Sequence, residues 1–203
     1  MARIDYYFSV LSPFSYLAGL GLEEVAARRG ATIAYRPMDI TKLFSETGGV
    51  PVPKRHPSRI AYRSQELRRI SARRGLAFNL LPAHWPTDPA PASCALIAVA
   101  GAGGDTGALA HAYLRAVWAE QRDIGEAAVV DAILGENGHD AAALAPAMAA
   151  AEATYQANTE AALAAGVFGA PFYVVGDEVF WGQDRLEYLD EHLARGEDGG
   201  QGR

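Results

Sequence analysis

The chain has 203 residues, half of them hydrophobic, which is enough for one sizeable core or for one domain carrying a large insertion. Eighteen basic against 24 acidic residues give a formal net charge of -6, which argues against nucleic acid as a partner. The single cysteine, Cys94, excludes an intrachain disulfide, a CxxC redox pair and a cysteine-rich zinc site.

Residues 3–10 (RIDYYFSV) mix β-branched and aromatic side chains over the length of a strand. The segment then changes character. Ser12 before Pro13 is a helix-start signal, with serine at the N-cap and proline at the first helical position. Tyr16, Leu17, Leu20, Leu22 and Val25 follow at roughly helical spacing, and Gly30 marks the expected end. Residues 31–37 read as a second strand, so the chain opens strand–helix–strand, the unit that makes a parallel pair through a right-handed crossover. Residues 41–57, with Gly48, Gly49, Pro51, Pro53 and Pro57, read as a loop, and an arginine-rich helix is expected from Ser58 to about Ala72. Residues 76–91 are expected to be extended. Residues 92–166 read as several helices separated at 101–104, at 135–140 and by Pro146. Residues 171–175 and 178–181 form a hairpin signal around Gly176 and Asp177. An amphipathic helix is expected at 184–195, and the glycine-rich tail 196–203 is expected to be disordered.

The order is thus β-α-β, a helical block, then β-β-α. The two ends predict one four-stranded mixed sheet, with the middle inserted as a helical lid. No long apolar run or leader pattern stands out, so the expectation is a soluble, cytoplasmic protein without a membrane partner.

The strand–turn–helix YYFSVLSPFSYLA resembles the start of a thioredoxin-type domain of the DsbA superfamily. Redox members carry CxxC in that turn; here Ser12 to Ser15 read SPFS, which rules out dithiol–disulfide exchange there. The wording is similar to the 2-hydroxychromene-2-carboxylate isomerases and the kappa-class glutathione transferases. The resemblance implies an α/β thioredoxin-like fold with a large all-helical insertion. Its discontinuous domain would comprise 1–40 and 165–195, with 41–164 inserted. It also implies that Ser12 is catalytic, holding a glutathione thiolate. A helix start carries orphan N–H groups and partial positive charge, and a hydroxyl there can donate to the sulfur. Taken alone, Ser12 also reads as an ordinary N-cap, worth about 1 kcal/mol.

Two further segments extend the resemblance. FGAPFYV resembles the cis-proline loop of thioredoxin-type proteins, with Pro171 as the cis residue. There the free N–H and C=O of Ala170 would pair with the cysteine backbone of glutathione. FWGQDRL resembles the F-W-G-x-D-R stretch of the isomerases. It implies that Gln183 and Asp184 hold the γ-glutamyl end of glutathione, with Arg185 left outside the site as an ion-pair partner. A plain helix cap is the other reading of Asp184.

More loosely, RIAYRSQEL resembles a stretch where the family keeps a basic residue three before an aromatic one, here Arg59 and Tyr62. Arg59 would bind the glycine carboxylate of glutathione or a substrate carboxylate; a solvated basic face shared with Lys54, Arg55, Arg63, Arg68 and Arg69 is the alternative. The five histidines show no metal-ligand spacing, so no metal is expected. Cys94 reads as a buried apolar residue, and Trp85 and Trp118 as core.

The resemblance implies glutathione-dependent isomerisation of 2-hydroxychromene-2-carboxylate, or a related aromatic compound, to trans-o-hydroxybenzylidenepyruvate in naphthalene-type degradation, by a homodimer. The alternatives are a kappa-type transferase or peroxidase, and a non-catalytic thioredoxin-like ligand-binding module.

Overall fold

A computed structural model describes residues 1–198, with side chains through Arg195. β1 (Arg3–Phe8) lies in the middle of the sheet. It pairs in parallel with β2 (Thr32–Pro37) and antiparallel with β3 (Phe172–Val175). β4 (Glu178–Trp181) closes the hairpin on β3, giving the order β2-β1-β3-β4. The turn is the expected one, with Gly176 at φ 59°. Alternation along β1 divides two apolar faces. Tyr6 and Phe8 stack at 4.7 Å and join the main core, with Tyr6 also stacked on Tyr173 at 5.3 Å. Tyr7 faces a smaller cluster with Met38, Leu43, Ala162, Val167 and Phe172.

The first helix is not continuous to Gly30. α1 (Pro13–Leu17) and α2 (Gly21–Arg28) are separated where Gly19 adopts φ 60°, a left-handed conformation that ends a helical turn. The restart at Gly21 brings α2 against α9 (Leu186–Asp198); a Cβ on Gly21 would lie 2.6 Å from Leu186. Asp190 fastens the same pair through Arg28 and Arg29. α9 runs past the expected end at 195, and residues 199–203 of the expected tail lie outside the described residues.

The expected loop 41–57 contains α3 (Ile40–Thr47). Asp39 caps it by accepting from the N–H groups of Thr41 and Lys42, and Gly48 ends it at φ 75°. A single 3-10 turn follows at Val52–Lys54. α4 (Pro57–Arg74) is close to expectation, yet Leu67 is its one fully buried residue. α5 (Ala90–Gly101), α6 (Thr106–Trp118), α7 (Ala127–Glu136) and α8 (Ala141–Ala164) complete the helical block. Pro146 lies inside α8 and does not divide it. It stands in the second turn of an alanine-rich run, where one missing N–H is offset by strong helix formers.

The helical block shares its core with the sheet. Ile4, Phe8 and Tyr173 from the strands pack in one cluster with Leu96, Leu109, Tyr113, Trp118 and Ile133 from α5, α6 and α7. Most of the inserted helices therefore hold the sheet in place, whereas α4, with Leu67 as its one buried residue, presents a lightly anchored wall.

Candidate active site

Ser12 ends the chain's exit from β1 and caps α1 with extended φ and ψ of -84° and 118°. Its Oγ accepts from the Ser15 N–H at 3.2 Å and donates to the Ala170 carbonyl at 3.2 Å. The residue is only 9% exposed. Because α1 has five residues, its dipole is smaller than a helix continuing to Gly30 would supply. The local donors matter more. Pro13 has no N–H, and the Ser15 N–H is taken by Ser12. The Phe14 N–H has no hydrogen-bond partner among the described residues.

The Ala170–Pro171 peptide is cis, and Pro171 is buried. Contrary to the expectation from sequence, the Ala170 carbonyl is not free: the Ser12 hydroxyl donates to it across the fold. The Ala170 N–H has no partner among the described residues. Two glycines shape this loop. A Cβ on Gly169 would lie 2.4 Å from Trp181 Nε1, so only glycine admits the indole there. Gly182 adopts φ 115°, and its N–H donates to the Pro171 carbonyl at 3.0 Å. That bond ties the end of β4 to the cis-proline loop and sets Gln183 and Asp184 beside it.

These residues border one cleft of about 730 Å³. Phe14, Ala170, Trp181, Gln183 and Asp184 line one side. Arg55, Arg59, Tyr62, Arg63 and Ile70, on and just before α4, line the other. Of the residues read from sequence, Ala170, Gln183, Asp184 and Arg59 thus meet at one cleft. Ser12 and Pro171 lie immediately behind Ala170 and are not themselves lining residues. Trp181 is 54% exposed and packs edge-on against Phe168. Asp184 is exposed and pairs with Arg185 at 3.2 Å; Arg185, left outside the site from sequence, itself lines the cleft.

The α4 wall is cationic, and sequence reasoning took only Arg59 from it. Arg55 donates to the Val50 carbonyl at 2.7 Å. Arg63 lies over the Trp85 ring at 5.8 Å. Burial and the neighbouring Arg59 lower the Arg55 pKa, and burial with the neighbouring Arg55 brings Arg63 down to about 10. The four-residue spacing of 59 and 63 was the available signal for a shared helix face; Arg55, extended before α4, carried no such signal.

Trp85 is half-buried and donates its Nε1–H to the Leu11 carbonyl at 3.1 Å. Trp118 is 1% exposed, within the core. Cys94 is buried; burial and the nearby Glu152 push its thiol up to about 11. Among the described residues no group of three or more His, Cys, Asp or Glu is placed to hold a metal, and no helix is long and apolar enough to cross a membrane. The cleft's free N–H groups and uncompensated guanidiniums fit a small peptide-like anion such as glutathione.

A model of the DSBA-like thioredoxin domain matches residues 3–194. A 2-hydroxychromene-2-carboxylate isomerase of Sphingobium xenophagum is 32% identical over 195 residues, covering 94% of this chain and 97% of that protein. A solved 2-hydroxychromene-2-carboxylate isomerase superposes with a TM-score of 0.77 at 28% identity, with 95% of each chain covered. Glutathione S-transferase kappa 1 of Caenorhabditis elegans is 34% identical over 72 residues, 35% of this chain and 31% of that protein.

Proposed function

The chain belongs to the DSBA-like thioredoxin family and, within it, to the family of the 2-hydroxychromene-2-carboxylate isomerases, and on that premise we propose that it is a glutathione-dependent isomerase of 2-hydroxychromene-2-carboxylate or a related aromatic compound. The observation that carries this reading is the Ser12 hydroxyl, which stands at the redox turn of the fold without any thiol beside it and donates to Ala170, a residue that lines the cleft. A turn without sulfur cannot exchange disulfides, so the electron-transfer chemistry of the redox members is removed. When bound, glutathione would supply a thiolate that adds reversibly to the conjugated carbon of the substrate and lets the former double bond rotate.

The chain's own residues do the rest. Ser12 turns its hydroxyl from the Ala170 carbonyl toward the sulfur, exchanging a neutral hydrogen bond for a charge-assisted one roughly twice as strong. The free Phe14 N–H adds a second donor on the same side. The Ala170 N–H takes a peptide carbonyl as an added strand would. Asp184 holds the α-ammonium of the γ-glutamyl group, with Gln183 beside it, and Arg59 offers a cation to the glycine carboxylate. Trp181 and Phe14 supply apolar walls for an aromatic substrate. The same reading sets the protein in the cytoplasm, as a homodimer, in naphthalene-type degradation.

A kappa-type transferase or peroxidase is the second reading, favoured by the likeness over 72 residues. Total glutathione during turnover separates the two. Isomerisation leaves it constant while product forms; stoichiometric loss to conjugate or disulfide would overturn the isomerase assignment. A non-catalytic module would show no turnover in either assay.

A further inference from the structure

Arg55, Arg59 and Arg63 face the cleft without a carboxylate in ion-pair distance among the described residues. The two carboxylates that line the cleft are already engaged, Glu66 by Arg69 at 2.5 Å and Asp184 by Arg185 at 3.2 Å. A partly desolvated cation without a counter-ion is costly, and like charges alongside add to that cost. A ligand anion relieves both.

The three arginines are not equivalent. Arg59 is exposed, whereas Arg63 is half-buried one turn further along α4. The Arg63 guanidinium rests on the Trp85 ring, and Trp85 is anchored through its indole N–H to the carbonyl of Leu11, the residue before Ser12. A chain of two contacts thus fixes Arg63 relative to the turn that carries Ser12. The Trp85 ring sets an attracting aromatic face beside the guanidinium, and no carboxylate competes for its donors among the described residues.

We propose that Arg63 is the substrate-selecting cation of the cleft, its fork taking both carboxylate oxygens of an aryl 2-oxo acid while Arg59 serves glutathione. The assignment rests on the isomerase reading above and adds to it the residue that reads the substrate carboxylate. Planar, bidentate recognition is what a guanidinium provides and an ammonium does not. A neutral aromatic ketone of the same shape would gain nothing from Arg63.

The test compares benzylidenepyruvate, an aryl 2-oxo acid without the ortho hydroxyl needed for ring closure, with benzylideneacetone, in which a methyl group replaces the carboxylate. Dissociation constants are measured by calorimetry for wild type, Arg63→Met and Arg63→Lys, with glutathione titrated separately into each. Arg63→Met is expected to weaken the oxo acid roughly 10- to 100-fold, with Arg63→Lys between the two. The ketone is expected to bind all three alike, and glutathione to change by less than about twofold, because Arg63 touches neither. Unchanged oxo-acid affinity in Arg63→Met, or equal losses for acid and ketone, would overturn the assignment. Failure of wild type to bind glutathione would instead remove the cofactor reading, while the acid-to-ketone comparison still reports on Arg63. If circular dichroism shows Arg63→Met unfolded, Arg63→Lys, which keeps the charge and stem but loses the fork, decides the question by the same ratio.

Discussion

Replacing Ser12 by alanine removes one oxygen that holds two hydrogen bonds, from the Ser15 N–H and to the Ala170 carbonyl, each 3.2 Å long. Both are at the long end of the normal range, and an N-cap serine is worth about 1 kcal/mol, so a total stability loss of about 1–2 kcal/mol is expected. For a chain of this size that lowers Tm by roughly 2–8 °C, leaving the variant folded at assay temperature. The effect on the cofactor is separate. A donor to an anion contributes about 1.5–3 kcal/mol, and each pKa unit corresponds to about 1.4 kcal/mol, so the bound glutathione thiol should titrate about 1–2 units higher in Ser12→Ala. On the proposed reading the wild-type site would hold the thiol below its free value near 8.5, so the thiolate would persist to lower pH; in the variant it would be lost sooner as pH falls. Near neutrality the thiolate fraction, and with it kcat, should drop roughly 10- to 100-fold. The assay is a pH titration of thiolate ultraviolet absorbance in the binary complex, beside a thermal melt. Coincident titration curves for wild type and Ser12→Ala would refute the role given to this hydroxyl.

Gly169→Ala should distort the cis-proline loop, because the new Cβ would meet Trp181 Nε1 at 2.4 Å; a lower Tm and a shift in tryptophan emission are expected, and an unchanged melt would count against the close approach. Burial raises the Glu23 carboxyl, but hydrogen bonds with His111 and Tyr35 outweigh it and hold the group below its ordinary value. Its contribution to stability is therefore complete above the ordinary glutamate value of about 4.3 and lost as pH falls through the lower folded value. Glu23→Gln should flatten that part of the acid limb in Tm against pH, and an unaltered slope would remove Glu23 from the account. With its thiol near 11, Cys94 should resist alkylation at neutral pH in the folded protein and react once denaturant is added; rapid labelling of the native chain would show it more accessible than its burial implies.

The ends of the chain were legible because their signals are local. The β-branched and aromatic run RIDYYFSV made a strand, and Gly176-Asp177 made a hairpin whose register follows from its turn. α3 was not legible, because the glycines and prolines from Gly48 onward outweighed the cap that Asp39 provides just before it. The break at Gly19 was hidden for the opposite reason: Leu20, Leu22 and Val25 keep helical spacing beyond it, and the restart at Gly21 against Leu186 of α9 is a long-range contact.

In the site, the motif around Phe180–Leu186 marked Gln183 and Asp184, and the structure sets both beside Ala170. Arg63 was lost among basic neighbours. What distinguishes it is Trp85, which comes from a segment without periodicity, twenty-two residues on, and meets α4 only through the fold. Long-range contacts of that kind leave no pattern in a single sequence.

The two walls of the cleft stand on different foundations. Ser12 and Ala170 are positioned by the packed centre of the molecule, whereas α4 commits only Leu67 fully to the interior across eighteen residues. Exchanges at exposed helix positions usually shift stability by less than about 0.5 kcal/mol. Residues along this wall can therefore drift between lineages without threatening the fold, while changes at the packed serine turn opposite carry a larger stability cost. Selection for a new aromatic acid would act on the arginine helix first and leave the cofactor seat untouched.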